Sequence, residues 1–463
     1  MPQAATYLPD DKDQIEAGIN EMRARAADIA KAWAYYYGDQ TLPLKISPVH
    51  GDQNVIMNLV GQAADDLVAM MGIPRFEVPG GSAREPDEAG HLRVSKSDEQ
   101  MWLDDWWEAH DLAEFMVDLT LSGMIAGHNY IRLYFDGDDG VPQAALLDPA
   151  LVVVFWDAAN KTRALWYRQQ WATADGGQRM QDIVRGDLVR SESGSTIAPW
   201  VIIEYAMSKN SSRWEWVATD PWEFDFAPIV EWKNEHKPHH YYGRSDVRTR
   251  LNDALNFTAS STAKILRHHA HPKTVVSGQQ LPDELANDPD RIIELTNPEA
   301  KMYNVEMQSD LKSSLEFMMT LRRAYFSEAR VVDLASVADK LGQITNFGVR
   351  MIFSRMIDKV TQKRNLYQRG LEDLSRRLMV MAGFQVERVN ASWPEMLPID
   401  RRELVETIEK EQGLGVVSKQ TASEDLGRDF DIELERIEEE QMLAGEGLAN
   451  ALVGLTQRGA LTG

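Results

Sequence analysis

The sequence contains no cysteine in its 463 residues. That excludes disulfides, thiolate metal ligands and cysteine nucleophiles, and it suits a reducing compartment. Long apolar runs are missing as well. Nowhere do about eighteen apolar residues follow one another, so no segment reads as a membrane span. The opening MPQAATYLPDDKDQ has no basic stretch followed by an apolar core, so no secretory signal is predicted. These absences lead to the expectation of a soluble, intracellular chain. Positive charge is scarce too, with 49 Lys and Arg against 72 Asp and Glu and a formal net charge of −23. A protein that coats nucleic acid by neutralising phosphates needs the opposite balance. The acidity fits plain solubility, or a surface past which a polyanion slides without sticking.

Catalytic signatures are absent in turn. There is no Gly-x-x-x-x-Gly-Lys phosphate loop, no Gly-x-Gly-x-x-Gly after a strand, no His-Glu-x-x-His and no Gly-x-Ser-x-Gly. No catalytic residue is assigned. The aspartates of DGDDG at 136–140 imitate the front of a calcium loop, but the bidentate glutamate is missing and a hairpin turn is expected. His236, His239 and His240 precede a long helical pattern, and His268, His269 and His271 end it. That helix would hold the two groups roughly 40 Å apart at 1.5 Å per residue. Each would have to bind alone, with no carboxylate at zinc spacing. They read as solvated histidines, and neither metal nor cofactor is expected.

What the chain does have is ordered periodicity. Residues 11–38 read as a helix with alternating charge and Asn54–Met71 carries a helical stripe, followed by a Gly/Pro/Ser loop at 79–86. Two further helices are predicted between Asp87 and Ala126, the first holding Trp102, Trp106 and Trp107 as core or protomer-contact residues. From His128 the period changes to that of strands: NYIRLYF, AALLDPALVVVFW, ALWYRQQWA, DIVRGDLVRS, PWVIIEYAM and DPWEFDFAPIVEWKNE predict one antiparallel sheet. The fold class is therefore α+β. Helical pattern resumes at Ser245, with Val247, Leu251, Leu255, Thr258, Thr262, Ile265 and Leu266 on a stripe, and stops at Pro272. A small insert follows, predicted as strands KTVVSG, RIIEL and KMYNVEM around an acidic turn PDELANDPD.

The stretch Ser309–Gly383 organises the rest. Its first helix, Ser309–Arg330, is capped by Ser309 and carries Leu311, Leu315, Met318 and Tyr325 on one face. Neither this helix nor the one before the insert can bury its stripe on a hairpin alone, so lateral packing against other copies is expected. After a short piece, 331–347, a second run places Val349, Phe353, Met356, Val360, Tyr367, Leu371, Leu374 and Leu378 at helical spacing. From Ile344 to Gly383 that helix would be roughly 60 Å long, and it is locally basic, with Arg350, Lys359 and Lys363 among its cations. The intervening piece, with Asp333, Asp339, Lys340, Gly342, Gln343 and Asn346, reads either as a kinked continuation of helix or as a mobile loop that touches a phosphate backbone weakly. A strand, FQVERVNASW, and a helix-rich acidic ending complete the chain.

In this order the segments resemble a tailed-phage portal protein of the siphovirus type. FAPIVEWKNEHKPHHYYGRSDV is similar to the strand, loop and Gly-Arg-Ser-Asp lead into that family's first stem helix. ARVVDLASVADKLGQITNFGVRM stands where the family has its tunnel loop. VNASWPEMLPIDRRELVETIEKEQGLGVVSKQTASEDLG and ELERIEEE are similar to its crown-side ending. The resemblance implies a wing at 1–244, a first stem helix at 245–270, a clip at 271–308 and a second stem helix at 309–330. It further implies a tunnel loop at 331–347, a long wing helix with a returning strand at 348–399, and a crown at 400–463. It implies a ring of about twelve subunits at one capsid vertex of a virion, assembled in the host cytoplasm. Double-stranded DNA would pass through it without sequence specificity. Terminase large subunit, a head–tail adaptor, major capsid protein and scaffolding protein would be partners, with no membrane involved. Asp333, Asp339, Lys340, Gly342, Gln343 and Asn346 would border the channel, and Arg350, Lys359 and Lys363 are basic candidates for its side. Two other readings stay open: a metal-binding enzyme with His236, His239 and His240 at a subunit interface, and a head-assembly protein that forms no ring.

Overall fold

The computed structural model describes residues 12–46, 48, 51–86, 92–137, 140–157, 159–160, 163–188, 198–211, 213–238, 240–270, 273–277, 299, 301–305, 311–341, 346–397, 401–428, 430, 433–434 and 436–437. Helices α1 (Lys12–Tyr37) and α2 (Leu59–Met71) lead into strand β1 (Arg75–Glu77) and a hairpin of β2 (Ser82–Pro86) and β3 (Leu92–Lys96). This hairpin replaces the expected loop and the expected helix start at Asp87. Backbone pairing from Ser82 opposite Lys96 carries it, which a polar composition does not prevent. Helix α3 (Asp98–Ala109) begins only after Ser97, whose side chain accepts the Gln100 N–H as a cap. Helix α4 (Leu112–Ala126) follows.

The strands form two larger sheets rather than the single one expected. Strands β4 (His128–Asp136), β5 (Val141–Leu147), β6 (Val152–Trp156), β7 (Ala164–Ala172), β8 (Gln178–Arg185), β9 (Trp200–Met207), β10 (Glu215–Trp222) and β11 (Ile229–Lys233) run in chain order. They divide into a five-stranded sheet, β10-β9-β8-β7-β6, and a three-stranded sheet, β11-β4-β5. The break falls at Asp148, whose carboxylate caps the short turn Pro149–Leu151 between β5 and β6. That turn redirects what reads as one strand, AALLDPALVVVFW, into two sheets.

Helix α5 (Thr249–Ala270) then leaves the body, and α6 (Leu311–Ala329) returns. Between them the described residues hold a ribbon of β12 (Lys273–Ser277) and β13 (Lys301–Val305), paired Lys273 opposite Val305. The expected acidic turn, the RIIEL strand and the Ser309 cap lie outside the described residues. Arg248 and Glu328, 3.5 Å apart, pin the other end of the helix pair. The two helices are thus antiparallel and packed together. Helix α7 (Leu334–Leu341) and the 36-residue α8 (Asn346–Met381) come next, so much of the expected loop at 331–347 is helical. Of FQVERVNASW only β14 (Asn390–Ser392) is a strand, paired with β1. Helices α9 (Arg401–Gly413) and α10 (Lys419–Asp425) end the described elements; most of the acidic helix expected after them lies outside.

Helix α8 is the spine of the core. Met356, Val360, Tyr367, Leu371, Leu374 and Leu378 are buried, as their spacing predicts. Trp232 of β11 lies so close that a Cβ at Gly370 would overlap its indole, which is why a glycine stands in mid-helix there. Trp107 stacks on Phe76 with ring centroids 4.8 Å apart, and the indole N–H of Trp106 donates to the Pro142 carbonyl at 2.8 Å. Both tryptophans are core residues.

One face of α5 is polar and yet buried. Asn252, Asn256 and Ser260 follow one another at four-residue steps, each with no measurable exposure. They accept the backbone N–H groups of Leu59, Met57 and Val55 at 3.2, 2.9 and 2.8 Å. The amide groups of Asn252 and Asn256 donate to the Gln40 side-chain oxygen. A helix face thereby serves the alternate donors of an extended segment, as a neighbouring strand would.

Candidate functional site

Three elements meet where the α5–α6 pair joins the body. Asp246, just ahead of α5, sits between Lys359 and Lys363 of α8, at 2.7 and 2.5 Å. Lys359 also donates to the carbonyl of Ala329 at the end of α6, at 2.7 Å. Lys363 donates to the side-chain oxygen of Asn234 at 2.7 Å, and Asn234 donates to Asp246 at 2.9 Å. Arg330, in the left-handed region at φ 55, turns the chain after α6 and pairs with Glu235 at 2.8 Å. Burial by itself would raise the Asp246 carboxyl, but Lys363 and Lys359 outweigh it and hold it well below the usual carboxylate range. The cluster welds the ends of α5 and α6 to the middle of α8.

This geometry corrects the expectation for Lys359 and Lys363. Their side chains are 3% and 2% exposed and committed to Asp246, so neither faces a channel. The reason extends along α8: its cations serve backbone carbonyls at the ends of other elements. Arg364 donates to Met70 and Met71 at the end of α2 and to Pro394, and Arg377 donates to Ala227 and Ile229. Arg355 reaches Ser327 at the last turn of α6. Of the three basic candidates, Arg350 alone is exposed.

Asp333 is also structural. It is 8% exposed and holds Arg322 in a fork, both bonds 2.8 Å. Arg322 first, and the N–H groups of Ser336 and Ala335 at the start of α7, keep its carboxyl below the ordinary value. Asp333 therefore ties α6 to α7 instead of standing free in a loop. Asp339 and Lys340 belong to α7 and Asn346 opens α8, while Gly342 and Gln343 lie outside the described residues. His236 and His240 are exposed, and His239 lies outside the described residues. Among the described residues no group of three His, Asp or Glu side chains stands together as a metal site.

The surfaces that sequence reasoning did not single out are apolar. Phe257 on α5, Phe317 and Met319 on α6, and Phe347 and Met351 on the leading turns of α8 are 53–74% exposed. Elsewhere α8 is packed from Met356 onward, so its first turns project from the body. The signal was available: these residues break the stripes that the helices bury. The α6 face turned away from the core carries Glu316, Thr320, Arg323 and Ser327, polar and of mixed sign.

The sequence-family model described as "Phage portal protein, SPP1 Gp6-like" matches residues 16–446. No match was found among curated protein sequences. Among solved structures, a chain of the "Virion of native gene transfer agent (GTA) particle" is similar at 13% identity and TM-score 0.42, covering 87% of this chain and 93% of that one. A chain of the "Neck of native GTA particle computed with C12 symmetry" is similar at 14% identity and TM-score 0.43, covering 80% and 89%.

Proposed function

The chain belongs to the SPP1 Gp6-like family of phage portal proteins, the structural channel proteins of a capsid vertex, and on that premise we propose that its copies close into a ring of about twelve around a DNA bore. The match over residues 16–446 carries the reading. In it, α5 and α6 form the stem, the residues between them the clip, the helices and sheets before α5 together with α8 the wing, and the segment from α9 onward the crown. Double-stranded DNA passes without sequence specificity, because a net charge of −23 per copy repels phosphate. The polar outer face of α6 suits a wall that DNA slides along, and Arg350 and Lys340 are the basic groups kept for the bore. The motor is a separate terminase large subunit, since the family is structural. Terminase and later a head–tail adaptor dock at the clip, while capsid and scaffolding proteins meet the wing at the vertex of the virion, with assembly in the host cytoplasm.

The exposed apolar residues on α5, α6 and the start of α8 support the ring, because a monomer leaves them in water. The deciding measurement is native mass by light scattering or native mass spectrometry, with negative-stain images of the same sample. Rings with a central hole are expected. A monomer that stays monomeric when capsid protein is supplied overturns the reading.

A further inference from the structure

A groove of about 790 Å³ runs between α1 and the chain that leads from β11 into α5. One wall is a stripe of α1 on which Glu21, Arg25 and Asp28 follow at steps of four and three residues, ending at Lys31. Residues between 237 and 249 form the other wall. On the floor, Ala32 of α1, Ile125 of α4 and Val247 pack together.

Both walls are held by contacts of their own. Lys233 donates to the His240 carbonyl at 2.9 Å, and the Gly243 N–H donates to His128 Nδ1 at 3.4 Å. Tyr241 stacks on Trp156 with ring centroids 5.8 Å apart. A Cβ at Gly243 would fall on the Gly127 carbonyl, so glycine is what lets this wall lie against the end of α4. From the α1 side, Arg25 lies 3.9 Å over the Tyr242 ring and donates to the Val152 carbonyl. A groove fixed on both sides binds without first ordering its walls.

Its charge runs against that of the chain. Anions lead cations by 72 to 49 overall, whereas here Arg25, Lys31, Lys237 and Arg244 meet only Glu21 and Asp28. Those two carboxylates flank Arg25 on its own helix. Lys31, Lys237 and Arg244 are exposed, and none has a carboxylate partner among the described residues. At about 0.15 M salt the Debye length is about 8 Å, so these local cations decide a contact and the distant net charge does not. A bare phosphate would engage the cations but leave the apolar floor uncovered and meet Glu21 and Asp28. A peptide satisfies every part: carboxylates at the cations, an apolar side chain on the floor, and backbone N–H groups toward Glu21 and Asp28.

We propose that this groove docks an acidic segment of a partner protein, with an apolar side chain between its carboxylates. The chain's own acidic run, DIELERIEEE at 431–440, follows α10. Resting on the ring reading above, that run belongs to the crown, so the occupant is a different protein. Val247 leads into α5 and Thr249 opens it, so the occupant braces the outgoing helix against α1.

The probe is a fluorescein-labelled peptide, EDLDE, titrated by anisotropy against the purified full-length chain, with native mass recorded on the same sample. Saturable binding is expected, weakened about tenfold in K237E/R244E and unchanged in K209E/R213E, whose cations lie between β9 and β10. EDGDE, which lacks the apolar side chain, is expected to bind more weakly. Thermal unfolding of K237E/R244E checks that the variant is folded. No saturable binding at millimolar peptide, or an equal loss from K209E/R213E, overturns the proposal. Pyrophosphate that displaces the peptide at lower concentration than unlabelled EDLDE overturns the choice of a carboxylate segment. Peptide binding by the monomer but not by the ring shows that a second copy fills the groove, which overturns the partner and leaves the ring reading standing. Absence of rings in the unmodified protein overturns that reading, and peptide binding then decides the groove by itself.

Discussion

At the scale of single residues, Asp246 carries the most consequence. It is one buried anion shared by two buried lysines and backed by Asn234. Removing one partner from such a group leaves charge without compensation, at a cost of about 3–5 kcal/mol. Asp246→Asn is therefore expected to lower unfolding free energy by about that amount, read from urea titration of the purified chain. The pH dependence has a definite sign. The folded carboxyl is held below its unfolded value of 3.8, so its stabilisation is complete above that value and is lost as pH falls below it. The gap between the native chain and Asp246→Asn should narrow below pH ~4, where the native carboxylate takes up its proton; a gap that does not narrow on acidification would contradict this assignment. Sequence alone could not expose this cluster. Lys359 and Lys363 stand at positions that read as the polar face of a basic helix. Only the fold shows that carbonyl ends and Asp246 converge on that face.

Among the elements, α8 and α5 were legible to different degrees. The stripe from Met356 to Leu378 is long and regular, and the helix follows it closely. For α5 the apolar stripe marked the helix but concealed its second buried face, because Asn252, Asn256 and Ser260 look like solvent-facing residues. Their partners are backbone N–H groups of a segment some two hundred positions earlier, and such pairing leaves no periodic trace there. The hairpin β2–β3 was missed for a similar reason. Polar strands paired through their backbones carry little hydrophobic alternation. A test belongs at this scale. Asn256→Leu would extend the apolar surface of α5, yet it strands the Met57 N–H and takes a donor from Gln40. Destabilisation of about 1–3 kcal/mol is expected despite the added apolar area, measured by thermal or urea unfolding. A neutral result would mean that the segment finds other partners.

On the scale of the whole molecule, the order of segments made the architecture readable where no single motif did. The α+β class, the outgoing and returning helices and the long helix all stand in the order expected. The channel residues did not fare equally. Asp333, Lys359 and Lys363 are absorbed into the frame and Arg350 is exposed; in the ring proposed above, Lys340 and Arg350 are the cations offered to the bore. Lys340→Glu in every copy is expected to lower the yield of genome-filled particles, counted by electron microscopy and encapsidated DNA. An undiminished yield with intact rings would remove Lys340 from the DNA path.

The buried polar face of α5 sets a limit of its own. Four residues of helix advance about 6.0 Å, whereas two residues of extended chain advance about 6.6 Å. The two rulers agree closely at one rung and drift by roughly half an ångström at each further one. Three rungs, from Asn252 to Ser260, are matched by short side chains. At the next step Lys264 turns away to the surface, and the longer Arg267 reaches the Gln53 carbonyl at 3.4 Å instead. The arrangement works as a vernier. Only one alignment satisfies all three marks together, so these side chains and backbone groups set the depth at which α5 enters the body.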